Sequence, residues 1–302
     1  MQPSIRPMSI WEILDTSVRL YRAHFWGIFG AALLVRLAGY VVNEFCMLGV
    51  TTYLEGISLY DPTLTQLVLA VAFAFVLSAV SLTVLLIEWG VLASVVSDAY
   101  TDNEVSLGRS LSRLPVRSLL LSSLLATAVI SVGMLLMVVP GLALMLILVM
   151  VPIASTVERK GPLAALRRSW HLVRARMQKG FLNNNMVRIG IIWAFAGILG
   201  LVGIAATLAL AQAAPQSWTM HETFSTPSMQ WELTVRTLRP AARVGMNVVA
   251  ESVQAFFLPF GICALVLLYY DIRVRKEGLD IERLLQRAES PAAAVPQSDT
   301  GV

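Results

Sequence analysis

Ionisable side chains inside long apolar runs are the residues of this chain most able to do chemistry. Arg36 and Glu88 each stand within such a run, where a charge is costly to keep and is usually paired or functional. At about 1.5 Å per helical residue, counted from Phe25 and Asp98, both fall about 15 Å from one membrane surface. They are candidates for an intramembrane ion pair, serving either as part of a transport path or as a structural latch. A third reading places Glu88 at the interface, with its span ending at Trp89 and Gly90. Glu44 and Glu251 share a level near the opposite surface, as candidates for the lining of an outward cavity or for positions facing headgroups.

A second set is cationic. Arg167, Arg168, Arg174 and Arg176 lie in the segment 158–180, and Asn184 and Arg188 follow it. All six are candidates for holding lipid headgroup phosphates through charge-assisted hydrogen bonds. In the same segment Leu163, Leu166, Trp170, Val173 and Met177 keep the spacing of one helical face, and Pro162 suits the first turn. Such a helix lies in the headgroup layer, its apolar stripe down and its cations among anionic lipids. Residues 9–25 repeat the pattern: Ser9 and Glu12 form a capping-box sequence ahead of Trp11, Leu14, Val18, Tyr21 and Phe25, with Arg19 and Arg22 off the stripe. A shorter version sets Leu107, Leu111 and Leu114 against Arg109, Arg113 and Arg117, interrupted by Pro115.

Catalysis finds little footing. No Ser or Cys sits in an elbow motif, and no glycine loop is built to cradle phosphate. His24, His171 and His221 are scattered, without Cys or carboxylates at metal-ligand spacing. Neither a catalytic residue, a metal nor a cofactor is therefore expected. Cys46 and Cys263 lie in apolar runs at different depths and read as packing residues rather than a disulfide.

The elements that must position these groups follow from hydropathy. Charged residues make up 14% of the 302 and mean hydropathy is +0.71, against roughly 25% charged residues in a soluble domain. The fold class expected is all-α, a polytopic membrane protein with spans at about 25–46, 67–96, 118–139, 141–157, 181–211 and 244–270. Pro140 and Gly141 are expected to form a tight turn, Pro259 to bend the last span, and Gly197, Gly200 and Gly203 to admit a neighbouring helix. The connector 213–243 is assigned an outer amphipathic helix through Trp231, Leu233, Val235 and Leu238. Residues 1–288 form one integral membrane domain, and 289–302, rich in Ala, Pro, Ser and Gln, a disordered cytoplasmic tail. The whole reads as three hairpin units, each preceded by an interfacial amphipathic helix.

Of the 23 Lys and Arg residues, all but Arg236, Arg239, Arg243, Arg36 and Arg188 fall on one predicted side. By the positive-inside rule that side, with both termini, is cytoplasmic, in the inner membrane of a prokaryote. Because the basic residues adjoin spans, the formal charge of +4 points to anionic lipid and not to nucleic acid. Met1 to Ser9 holds one Arg and the first apolar run is long, so an uncleaved anchor is expected in place of a signal peptide. Tyr269 and Tyr270, followed by Arg273, Arg275 and Lys276, read as an aromatic belt and a positive anchor.

Three stretches then carry a family resemblance: Ser9-Ile10-Trp11-Glu12-Ile13-Leu14-Asp15, Gly161-Pro162-Leu163-Ala164-Ala165-Leu166-Arg167-Arg168-Ser169-Trp170, and Leu267-Leu268-Tyr269-Tyr270-Asp271-Ile272-Arg273-Val274-Arg275-Lys276-Glu277-Gly278. They resemble recurring phrases of the membrane domain of the glycerophosphoryl diester phosphodiesterase family, over residues 9–284. In those enzymes a separate soluble barrel performs the hydrolysis. The roughly 30 residues after the last expected span are far short of the roughly 250 of such a barrel, so the resemblance implies the membrane module alone. The expected role is non-enzymatic: membrane organisation, lipid contact, or assembly of membrane-protein partners. A transporter or channel for a small molecule or lipid, using Arg36, Glu88 and Glu251 inside the bundle, is the alternative.

Overall fold

The computed structural model describes residues 7–54, 63–101, 107–174, 184–213, 218–226, 229–237 and 240–278. Ser9 opens the first helix, α1 (Ile10–Ala23), with a complete capping box: Glu12 N–H donates to the Ser9 hydroxyl at 3.3 Å, and Ser9 N–H to the Glu12 carboxylate at 2.7 Å. After a break at His24 the chain continues as α2 (Phe25–Leu54), α3 (Leu64–Thr101), the short α4 (Leu107–Ser112), α5 (Val116–Leu136), α6 (Val138–Leu148), α7 (Val151–Val157), α8 (Pro162–Arg174), α9 (Asn185–Ala213) and α10 (Pro240–Glu277). Six stretches are long and apolar enough to cross a membrane: Phe25–Gly49, Leu64–Thr101, Val116–Leu136, Val138–Val157, Asn185–Leu210 and Val244–Glu277. The chain is thus an α-helical multi-pass membrane protein.

Three hairpins make the bundle: α2 with α3, α5 with α6 and α7, and α9 with α10. The amphipathic helices pack at one end of it in a consistent way. Helix α4 lies on α3, α8 on α7, and α1 on α10, so each rests on the returning arm of a hairpin. Burial is concentrated at this basic end. Helix α3 is buried mainly between Leu86 and Tyr100, and α10 between Ile262 and Val274, whereas Val41, Leu48, Leu64, Val71, Leu201 and Val244 at the other end are exposed. The helices pack tightly at the basic end and present apolar side chains outward beyond it, as a hydrocarbon-covered surface requires.

Several expectations are corrected. The connector 213–243 holds an antiparallel hairpin, β1 (Trp218–Thr226) and β2 (Met229–Thr237), and no amphipathic helix. Trp231, Leu233 and Val235 are spaced by two, the period of a strand and not of a helix. The turn in the second hairpin falls at Met137, which is extended (φ −163°, ψ 147°); Pro140 lies in the first turn of α6, where its missing N–H costs nothing. Gly133 and Gly141 let the two arms close there, since a Cβ on Gly133 would lie 3.2 Å from the Gly141 Cα. Helix α3 continues to Thr101, beyond the expected end of the span near Val96, and α10 contains Pro259 within its length. At its end Gly278, at φ 62°, donates its N–H to the Val274 carbonyl at 3.1 Å, a left-handed helix stop. Arg176, Met177 and the tail 289–302 lie outside the described residues.

The faces of α1 and α8 against the bundle lie beside the expected apolar stripes and share only Tyr21 and Val173 with them. Ile10, Ile13, Ser17 and Tyr21 are buried in α1, and Ala165, Ser169, Leu172 and Val173 in α8; Trp11, Leu163 and Trp170 are exposed. The reason is that these helices lie on protein and not only on lipid. The face against the bundle uses small residues such as Ser17 and Ser169, which let the backbones approach, and leaves large apolar groups for the outer surface.

Candidate functional site

Two groups of ionisable residues come together. Within the bundle, Arg36 of α2 donates through Nε to Glu251 of α10 at 2.9 Å and through a terminal nitrogen to Glu88 of α3 at 3.3 Å; its other terminal nitrogen is 2.6 Å from Glu251. Glu88 stands 13 residues before the end of α3, about 20 Å along a helix. Gly39, almost one turn beyond Arg36, makes the approach possible: a Cβ there would collide with the Glu88 carboxylate and with Val84. Polar links between the same helices continue toward the hairpin end, with Ser81 donating to Asn43 at 2.8 Å and Asn247 to Tyr40 at 3.3 Å, and Thr83 of α3 donates to Thr127 of α5 at 3.0 Å. The triad therefore ties three helices together and carries one more carboxylate than cation. Glu44 lines a groove of about 450 Å³ with Tyr40, Phe45, Leu48 and Val244, and Glu251 is not part of that lining.

At the basic end two ion clusters lock the amphipathic helices in place. Asp271 of α10, 1% exposed, accepts from the Met8 backbone N–H at 2.6 Å, from Arg188 of α9 at 2.5 Å and from Arg275 at 3.0 Å. Arg188 and Arg275 also donate to the Met8 carbonyl, at 2.9 and 2.7 Å. In the second cluster Glu158 accepts from Arg168 at 2.8 Å and from the Tyr269 hydroxyl, and lies 3.5 Å from Arg273. Arg168 and Arg273 both reach Glu277, at 2.7 and 3.0 Å. Burial pushes the Glu158 carboxyl up, but the Tyr269 hydroxyl, Arg168 and Arg273 outweigh it and hold it below its ordinary range. The Arg168 guanidinium is pushed further toward its charged form, chiefly by Glu277.

These contacts sort the six headgroup candidates. Arg188, 3% exposed, and the partly buried Arg168 are both paired with protein carboxylates. Arg167 and Arg174 are exposed, and Arg174 stacks over Trp170 at 4.7 Å. Asn184 is exposed and turns its side chain back to accept from Met186 N–H at 3.0 Å, capping α9. Tyr269 and Tyr270 are buried and form no belt; Tyr270 shares a 2.7 Å hydrogen bond with Ser97. Asp271 is the central residue that sequence reasoning missed. Its signal was an acidic residue at the inner end of a span amid arginines, which reads as solvated charge until α9 supplies Arg188. Among the described residues no group of three His, Cys, Asp or Glu is placed to hold a metal.

Fold and charge together define a multi-pass helical membrane protein with a bolted basic end and an ion triad within the bundle. No family model matches the chain, and no solved structure does. Over 128 residues it is 31% identical to a UPF0259 membrane protein of Photorhabdus laumondii. The matched stretch is 41% of this chain and 48% of that protein, so the chain spans about half the length of this relative.

Proposed function

We propose that the protein is a non-enzymatic lipid-contacting element of the cytoplasmic membrane, with its basic end and both termini on the cytoplasmic side, serving membrane organisation or the assembly of membrane partners. The observation that carries this is on α8: Arg167 and Arg174 are exposed beside the exposed apolar Leu163 and Trp170. That combination suits an anionic headgroup layer, where each cation near the surface contributes about 1 kcal/mol. The three stretches at 9–15, 161–170 and 267–278 support reading these residues as a counterpart of the glycerophosphoryl diester phosphodiesterase membrane domain. The test is the anionic lipid retained per protein after purification in mild detergent. Arg167→Gln with Arg174→Gln should lower that ratio, whereas an unchanged ratio in a folded double variant would remove the lipid-contact reading.

The Arg36 triad favours a second reading, transport of a small molecule or lipid, because its extra carboxylate lies at mid-depth among packed helices. Flux into proteoliposomes separates the two. Loss of flux in Glu88→Gln and Arg36→Gln supports transport, and absence of flux in the unaltered protein rejects it.

A further inference from the structure

We propose that the cavity between α9 and α10, closed at one side by Arg36, is a binding site for a neutral apolar molecule bearing a carbonyl oxygen, entering from the bilayer. The cavity measures about 220 Å³, between the roughly 150 Å³ that admits benzene and the roughly 300 Å³ at which ligand pockets begin. Its wall from α9 combines Ile192 and Trp193 with the small residues Ala196, Gly197 and Gly200. Gly197 and Gly200 face open space, for a Cβ on either would meet nothing within 4 Å. They are not the helix contacts that their spacing suggested; Gly203 alone of the three is, with Phe257 3.0 Å from its built Cβ. Gly197 is exposed on the lipid-facing surface, which provides a lateral entrance.

The polar lining settles the class of ligand. Trp89 of α3 and Trp193 of α9 both line the cavity, their rings meeting edge to face at 5.8 Å, and the indole N–H of each is buried without a hydrogen-bond partner among the described residues. A buried unmade hydrogen bond costs roughly 1–3 kcal/mol. An edge-to-face pair lets one indole donate to the other's ring, but not both at once, so at least one donor lacks an acceptor. The other polar lining groups are the Arg36 guanidinium, also a donor, and the Gln254 amide. The ligand must therefore bring acceptor oxygen. It must also be uncharged: Arg36 is the charged group in the lining and repels a cation, and its own charge is already met by Glu88 and Glu251, so an anion finds no unpaired partner. The remaining lining, including Ile192, Phe257, Leu258 and Leu265, is apolar and matches an apolar body.

Benzophenone, a neutral diaryl ketone that cross-links to nearby C–H groups on irradiation, tests this on the full-length protein in lipid nanodiscs. Saturable labelling is expected on the cavity segments of α9 and α10. Cyclohexyl phenyl ketone should suppress it, and diphenylmethane, which has the same rings without the oxygen, should not. Gly197→Leu should abolish labelling by filling the cavity. Trp89→Phe with Trp193→Phe, which removes the donors and keeps the rings, should weaken it roughly three- to tenfold, the worth of one hydrogen bond. Labelling spread over the exposed apolar faces and indifferent to Gly197→Leu overturns the site. Equal competition by diphenylmethane overturns the carbonyl assignment, and stronger competition by benzoate overturns the requirement for neutrality.

Discussion

Removing the Asp271 carboxylate should be the most damaging single change at the basic end. The group is 1% exposed and serves the Met8 N–H, Arg188 and Arg275 at 2.6, 2.5 and 3.0 Å. Asp271→Ala leaves a fully buried and a partly buried guanidinium facing each other with their anion gone. Breaking one side of a buried pair costs about 3–5 kcal/mol, roughly two to three and a half powers of ten in the folded-to-unfolded ratio. Arg188→Met should cost less, about 1–3 kcal/mol, because Arg275 and the Met8 N–H still satisfy the carboxylate and the methionine occupies the volume of the arginine stem. The two changes share one site, so the double variant should lose less than their sum by about 0.5–3 kcal/mol. Reversible unfolding in mixed micelles measures all three, and limited trypsin cleavage at Arg19 and Arg22 reports whether α1 has detached. Asp271→Ala unfolding within about 1 kcal/mol of the unaltered protein, or strict additivity in the double variant, would refute the bolt.

Three further outcomes follow from particular contacts. Gly39→Leu should destabilise by about 1–3 kcal/mol through overpacking against Glu88 and Val84, and Glu88→Ala in the same chain should restore part of the loss; no restoration in the unfolding assay means that the clash is not with Glu88. Gly203→Leu, which drives into Phe257 and Gln254, should cost a similar amount, whereas Gly190→Leu, which meets nothing within 4 Å, should be nearly silent; equal losses in the two would sink the assignment of close approach to Gly203. Glu158 is held below its ordinary range in the folded protein, so its contribution is present above the ordinary carboxylate value and fades as pH falls through the lowered one. Thermal stability in detergent should drop on acidification from about pH 6 to about pH 3, less steeply in Glu158→Gln, and an equal drop in the variant would count against the Arg168 and Tyr269 contacts.

The spans were legible in the sequence because a bilayer demands long apolar runs and a helix satisfies its own backbone, so length and hydropathy are enough. What the sequence left ambiguous was the direction each helix faces. In a soluble protein the apolar stripe marks the core, but α1 and α8 are apolar on two sides, one against protein and one against lipid. Trp11 and Trp170 dominated the expected stripe by size, whereas Ser17 and Ser169, small and polar, mark the true contact. The same difficulty left the triad's third member between two readings, Glu251 beside Glu44 near one surface or with Arg36 and Glu88 inside the bundle. Arg36 and Glu88 stood out at equal depth, but Glu251 joins them only because α10 packs against both α2 and α3, a fact of topology that no local spacing encodes. Arg188 was misplaced for a related reason: beside Asn184 and Asn185 it resembles interfacial solvation until Asp271 arrives from 83 residues away.

The three amphipathic helices explain why the heaviest ionic bolt lies where it does. Helix α4 rests on α3 and α8 on α7, and in each case the two are joined by a short stretch of chain, which keeps the effective concentration of the partner high. Helix α1 rests on α10 in the corresponding way, but α1 ends at Ala23 and α10 begins only at Pro240, so no short connector holds them together. Contact across that seam must come from noncovalent interactions. Asp271, Arg188 and Arg275 all converge there on the backbone of Met8, one residue ahead of the capping box that starts α1. Backbone groups are a stricter target than side chains, because they fix where the helix begins as well as which helix is held. The cluster therefore supplies, at the junction without a short connector, what a connector supplies at the other two, and the aromatic contacts of Tyr21 with Phe256 and Phe260 extend the same seam toward the membrane interior.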